Sequence, residues 1–338
     1  MTTFTRRRLL SLSAGGALAL LGSCSSGRKG TVLHSAGSLP GSWVSALPKD
    51  WQARVVAGPQ QVLEASNADL IQLNDGWATT TPADAFAPLG PGIEPLLQTL
   101  DPFTAPISRL LAPAGGPVRA FPWAFGTWVL LVRERPDLQE RAEEGWSVLL
   151  DPSLKGKLVL PSSPRVLISL LAGSGDWQAP ALAEQLRRLR GQALAFDDRD
   201  GLNLLLSGDA EAIVLPSQRA LPLLRRDPRL QALQPQGATP LIWNLLLRPS
   251  GATMPLPLAW LARVLREPGL SQALNEGWVP PLPRARLQGA LARQPETLRG
   301  LLLPAPDLLH HCHTLAPLTA TERASAQALW DATAPLRP

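Results

Sequence analysis

Asp69-Leu70-Ile71-Gln72-Leu73-Asn74-Asp75-Gly76-Trp77 decides the fold, because an apolar strand here runs straight into a short polar loop. Upstream, Thr31-Val32-Leu33-His34-Ser35 is another β-like run, and it ends in the turn-rich Ala36-Gly37-Ser38-Leu39-Pro40-Gly41. Between the two, the spacing predicts helix over 42–47 with Ser42 as N-cap, strand over 53–57 and helix over 60–66. Strand, loop, helix, strand, loop is the βαβ rhythm of an α/β domain with a parallel sheet. Binding groups on such sheets gather in the loops beyond the carboxyl ends of the strands, here 36–41 and 74–77. Further on, residues 118–133 form one long extended element around Phe121-Pro122-Trp123-Ala124-Phe125-Gly126-Thr127. Pro122 and Gly126 interrupt it, as expected where a strand passes between lobes. Helix is then expected over 137–150, 164–172, 180–190 and 200–206, with strands near 193–196, 212–215 and 241–247. From residue 256 the chain reads as helical to its end, broken by prolines.

The length of 338 residues fits two domains, and a chain 45% hydrophobic with 17% charged residues has ample material for packed cores. Two cysteines exclude a disulfide framework and any cysteine-based metal cage. The net charge of +5 suggests a nucleic-acid binder, but Arg6, Arg7 and Arg8 supply three of the five charges. They precede an apolar run that is too short and too rich in small residues to span a membrane, so residues 1–23 read as an export signal. Thr5-Arg6-Arg7-Arg8-Leu9-Leu10 resembles the twin-arginine signal, and Leu21-Gly22-Ser23-Cys24 resembles a lipobox whose Cys24 is lipidated. The alternative is an ordinary signal with an incidental cysteine. Residues 24–30 then form a tether. Without the signal, 29 basic face 27 acidic side chains, which is no electrostatic footprint for nucleic acid. Cys312 is left as a lone thiol.

Four stretches, in order, are similar to the bacterial extracellular solute-binding proteins of the spermidine/putrescine-binding group. They are Asp69-Leu70-Ile71 with its loop; Phe121 through Thr127; Gly145-Trp146-Ser147 through Leu154-Lys155-Gly156-Lys157-Leu158; and Leu258-Ala259-Trp260-Leu261 through Glu276-Gly277-Trp278-Val279-Pro280. The resemblance covers nearly the whole chain after the signal. It implies a type II-like periplasmic-binding-protein fold: two α/β lobes, each a mainly parallel sheet flanked by helices, joined by crossover hinge strands. Lobe 1 would hold residues 31–125 and about 246–290, and lobe 2 residues 126–245 and about 291–338. It further implies a monomer, lipid-anchored in the periplasm, that passes a small solute, polyamine by default, to the permease of an ABC importer. No catalytic role and no cofactor are expected. The runner-up is a degenerate binding-fold lipoprotein that acts as a sensor or assembly partner without transport.

Carried over by position, Ser38, Asn74, Asp75, Trp77, Thr127, Asp198, Trp243 and Asn244 would lie at the cleft. Trp243 stands where the family stacks a tryptophan on its ligand, although a buried strand could equally hold it as a core aromatic. Asp198 could equally be a solvated turn acid. The family's other carboxylates are absent: Ser163, Val166 and Leu245 occupy their places. Ferric-binding relatives use paired tyrosines, which a chain with no tyrosine cannot supply. His310-His311-Cys312-His313 is the densest set of metal-capable side chains, but it reads as a helix end favoured by the helix dipole. No phosphate-binding glycine loop and no Gly-x-Ser-x-Gly elbow is present. Exchange of Arg6 and Arg7 for lysine should hold the protein in the cytoplasm, and Cys24→Ala should release it from the membrane. Both outcomes are read by cell fractionation.

Overall fold

The computed structural model describes residues 28–335 except Ser66, Ala114, Ser174 and Asp176, so the expected export signal and Cys24 lie outside the described residues. Three parallel strands open the chain. They are β1 (Gly30–Ser35), β2 (Trp51–Val56) and β3 (Leu70–Asn74), with β1 in the middle. Val32 and Leu33 are wholly buried between flanking helices, which is why this run is apolar without alternation. Asp69 fixes the start of β3. Its carboxylate, 1% exposed, accepts from the N–H groups of Thr31, Thr253 and Met254, each at 3.1 Å, and meets Arg28 at 3.4 Å. Burial pushes this carboxyl up, but the three N–H donors and Arg28 together hold it below its ordinary range.

The first helix, Gly41–Ser45, is not capped by Ser42 as expected. Its free N–H groups are met from the far end of the chain instead. Glu276 accepts from Gly41 N at 2.8 Å and from the Ser42 hydroxyl at 3.0 Å. The loop expected over 74–77 is in fact a one-turn helix, Asp75–Ala78, capped by the Asn74 side chain.

After the two-residue β4 (Phe86–Ala87), the strand β5 (Ala120–Arg133) runs fourteen residues, buried along all but its last. Next come β6 (Leu158–Leu160), β7 (Ala193–Phe196), β8 (Ala212–Pro216), β9 (Leu230–Leu233), β10 (Pro240–Pro249) and β11 (His313–Thr314). The order across the molecule is β2-β1-β3-β10-β5-β8-β6-β7, with β4 and β11 on β10 and β9 on β5. The outer pairs are parallel, as expected, but β10 and β5 run antiparallel to the neighbours that link the lobes, so each lobe's sheet is mixed. Residues 120–127 of β5 pair with β10, and residues 128–132 pair with β8.

Pro122 and Gly126 are explained by this geometry. Pairing with β10 slips by one residue at Asn244/Leu245, opposite Trp123 and Pro122, and a bulge is where a proline without an N–H can sit. At Gly126 any Cβ would stand 2.6 Å from the amide carbon of Gln218. Two cores flank the handover. One runs from Val32 to Phe125 and returns with β10 and the helices that follow it. The other is built from Trp128, Val148, Leu160, Leu186 and their neighbours. Leu298, Leu302 and Leu303 pack into the first core, although the sequence assigned them to the second lobe. The expected helix over 137–150 is broken into short turns at Gly145, whose φ of 65° places it beneath the Gln236 carbonyl. Among the described residues no helix is long and apolar enough to cross a membrane. Gly126→Ala should destabilise the protein by about 1–3 kcal/mol, measured by denaturant unfolding, because the buried Gln218 side chain must shift to admit a methyl group.

Candidate ligand-binding cleft

A cavity of about 400 Å³ lies between the two lobes. From the first lobe come Asn74, Asp75, Trp77 and Thr80. From the second come Ser162, Ser163, Val166, Asp198 and Arg219. Trp128, Leu241, Ile242 and Leu315 supply apolar surface between them. Apart from Thr80, every polar side chain in this set sits at or just past a strand's carboxyl end, where the sheet order places facing loops.

Asn74 closes β3 and starts the one-turn helix by accepting from Trp77 N at 3.0 Å. That cap turns the chain so that Trp77 stands 38% exposed, while Asp75 drops inward to 3% exposure. Asp75 Oδ1 accepts from the backbone N–H of Trp243 at 3.1 Å, but Oδ2 is buried with no partner. Burial pushes this carboxyl up to about 7, and the N–H groups of Trp243 and Gly76 and the charge of Arg165 offset only part of that. A buried acid with one unfilled acceptor is costly to keep unless something fills it.

On the opposite wall, Asp198 Oδ2 accepts from Ser162 N at 3.1 Å and from the Ser162 hydroxyl, so this acid pins the loop after β6. Arg219 spends its Nη groups on the carbonyls of Asp198 and Arg199. Burial pulls its guanidinium down from its ordinary value.

Four of the eight expected residues therefore meet here: Asn74, Asp75, Trp77 and Asp198. The other four do not line the cavity. Ser38 bonds its hydroxyl to the Ser35 carbonyl within its own turn. Thr127 is buried and accepts from Gln234 at 3.0 Å. Asn244 is buried and accepts from Gln72 at 3.2 Å. Trp243 is the main correction. It is wholly buried, its ring 5.3 Å from that of Phe103 and 5.6 Å from that of Phe125, with its indole N–H given to Thr314 at 3.1 Å. It is a core aromatic, and only its backbone serves the site.

Trp128 and Arg219 were missed. The period of two along a strand could have found Trp128, since it points to the opposite face from Thr127. The rule that singled out the loop after β3 applies equally after β8, where it leads to Arg219. The histidine-rich stretch does not form one helix face, because the helix Pro306–His311 ends before His313, which enters β11 and meets the Ser169 hydroxyl at 2.6 Å. Burial pushes the Cys312 thiol up to about 11. Among the described residues no three metal-capable side chains form a site. Two larger hollows, each of about 660–670 Å³, border the Thr79–Asp84 loop and the C-terminal helix, but among the described residues no buried acid with a free oxygen lines either.

No family model and no curated protein sequence matches the chain. Solved structures do. The spermidine/putrescine ABC transporter substrate-binding protein from Streptococcus pneumoniae superposes with a TM-score of 0.71 at 15% identity, covering 91% of this chain and 98% of that one. The TpPotD lipoprotein of Treponema pallidum gives 0.68 at 14% identity, covering 90% and 98%. A periplasmic thiamin binding protein gives 0.61 at 13% identity, covering 90% and 94%. The chain has the type II periplasmic-binding-protein fold of ABC-importer substrate-binding proteins. Trp243→Ala should cost about 3–5 kcal/mol in denaturant unfolding, as removal of a buried core aromatic does.

Proposed function

We propose that this protein is the substrate-binding component of an ABC importer, exported and tethered to the membrane through lipid on Cys24. It holds a small organic solute between its lobes, which close by hinge motion around β5 and β10. The permease is the partner that receives the solute, and the tether keeps the loaded protein near it. The observation that carries this reading is Asp75, buried at the interlobe cavity with Oδ2 unpartnered. An ammonium group would fill that acceptor, and the faces of Trp77 and Trp128 would cover the methylenes beside it. A polyamine such as putrescine or spermidine, the solute class implied by the sequence resemblance, satisfies this half of the site. The fold alone does not choose it, since one structural neighbour is a thiamin binding protein. Ser163 and Val166, in place of the family's acids, favour a second reading in which the fold serves as a sensor or assembly partner. A solute bound without any permease that accepts it would support that alternative.

The raised titration of Asp75 sets the pH dependence. An ammonium needs the ionised carboxylate, so affinity should rise with pH through about 7 and be about 30-fold weaker at pH 5.5 than at pH 8. Stability moves the other way. An acid whose folded value lies above its unfolded one contributes stability that is fully present below about pH 4 and lost as pH rises through about 7. Asp75→Asn should therefore flatten both profiles, weaken binding of a diamine at least about tenfold at pH 8, and raise the melting temperature there. Calorimetry with putrescine and thermal unfolding at pH 5.5 and 8 test this. An unchanged pH profile in Asp75→Asn would place the ammonium elsewhere.

A further inference from the structure

The two walls of the cleft differ in charge: an acid stands on the first, and a cation beside the acid Asp198 on the second. The first lobe offers Asp75, whose Oδ2 has no partner. The second lobe offers Arg219, and among the described residues no carboxylate stands within ion-pair distance of its guanidinium. The acids beside Arg219 are engaged with other donors. Asp197 accepts from the N–H groups of Arg199 and Asp200 at 2.6 and 2.9 Å, and Asp198 holds Ser162. Both carbonyl bonds of Arg219 orient the guanidinium, and the charges of Asp198, Asp197 and Asp200 act on it without a direct ion pair.

The same wall includes the first turn of the helix Pro164–Ala172, whose N-cap Ser163 makes no side-chain capping bond. The positive end of a helix and a spare hydroxyl therefore lie beside the cation. Arg165, the arginine whose charge acts on Asp75, is half-buried and spends a guanidinium N–H on the Ala316 carbonyl.

A diamine fits this arrangement badly. One ammonium would fill Asp75, but the other would meet Arg219 and a helix N-terminus, where the one acid of the wall, Asp198, is already held by Ser162 and where Ser163 and Val166 stand in the places the family resemblance gives to acids. A diacid fails at the opposite wall. We infer that the solute is zwitterionic, with an ammonium seated on Asp75 and a carboxylate received by Arg219 and the Ser163 turn. This rests on the solute-binding reading of the cleft and specifies the chemistry of both ends of the ligand. The apolar surface of Trp77, Trp128, Val166 and Ile242 between the walls suits a short methylene chain joining the charges.

The test is isothermal titration of the purified protein, at pH 8, with three series of four to six carbons: ω-amino acids, α,ω-diamines and α,ω-diacids. The expected result is an ω-amino acid bound at least about tenfold tighter than the diamine and the diacid of its own length. Arg219→Gln should weaken that amino acid at least about tenfold and leave the diamine equal or tighter. Arg219→Lys, which keeps the charge, should preserve the amino-acid preference, so the proposal stays testable if the glutamine variant fails to fold. A diamine that binds tightest, and loses binding in Asp75→Asn, would overturn the zwitterion while leaving the cleft a solute site. An amino-acid preference that survives Arg219→Gln would equally overturn it. No heat from any series up to millimolar concentration would overturn both readings.

Discussion

Strand β5 has two edges, and it changes partners on both of them between Phe125 and Leu130. Along one edge β10 gives way to β9. Along the other an isolated bridge to Val279 gives way to β8. Each half of the strand is a central member of its own lobe, so neither lobe is complete without the other's chain. The bulge at Pro122, the missing side chain at Gly126 and the buried amide of Gln218 all sit within a few residues of that handover. The cavity does too, with Trp128 as the first residue on the far side. The ligand space is the gap left where one sheet stops and the next begins.

The parts of the fold that the sequence reveals are those whose burial is complete. Val32-Leu33 and Leu70-Ile71 are apolar on both faces because helices cover both, and such runs are readable as inner parallel strands. The helix Ser217–Leu224 and strand β9 escaped notice because Arg219 and Pro222 interrupt one and charged residues crowd the other. Long-range contacts were not legible at all. Nothing near Ser42 announces that Glu276, more than two hundred residues away, will satisfy its helix, and the capping rule consequently chose the wrong residue. The lobe boundary failed for a similar reason. Leu298 and Leu302 look like any helical leucines, and only the packing of the return helices decides which core takes them.

The site was half legible. The loop after β3 was found because the strand before it was clear, and topology then placed Asn74, Asp75 and Trp77 together. Trp243 misled because position in a motif says nothing about which face of a strand turns inward. Here the pleat sends its ring against the touching pair Phe103 and Phe125, while its N–H orients Asp75. The residue matters to the cleft through its backbone, a contribution that no side-chain comparison would detect.

Trp77 gives the protein an optical property. Of eleven tryptophans seven are buried, Trp177, Trp278 and Trp330 are half-buried, and Trp77 alone stands exposed, at the mouth of the cleft. Indole emission shifts to the blue as water leaves the ring, and ten of the eleven emitters are already partly or wholly dry. Any change in the emission maximum on occupancy of the cleft therefore originates largely from one side chain. The molecule carries a built-in reporter of its own filling, with no label to attach.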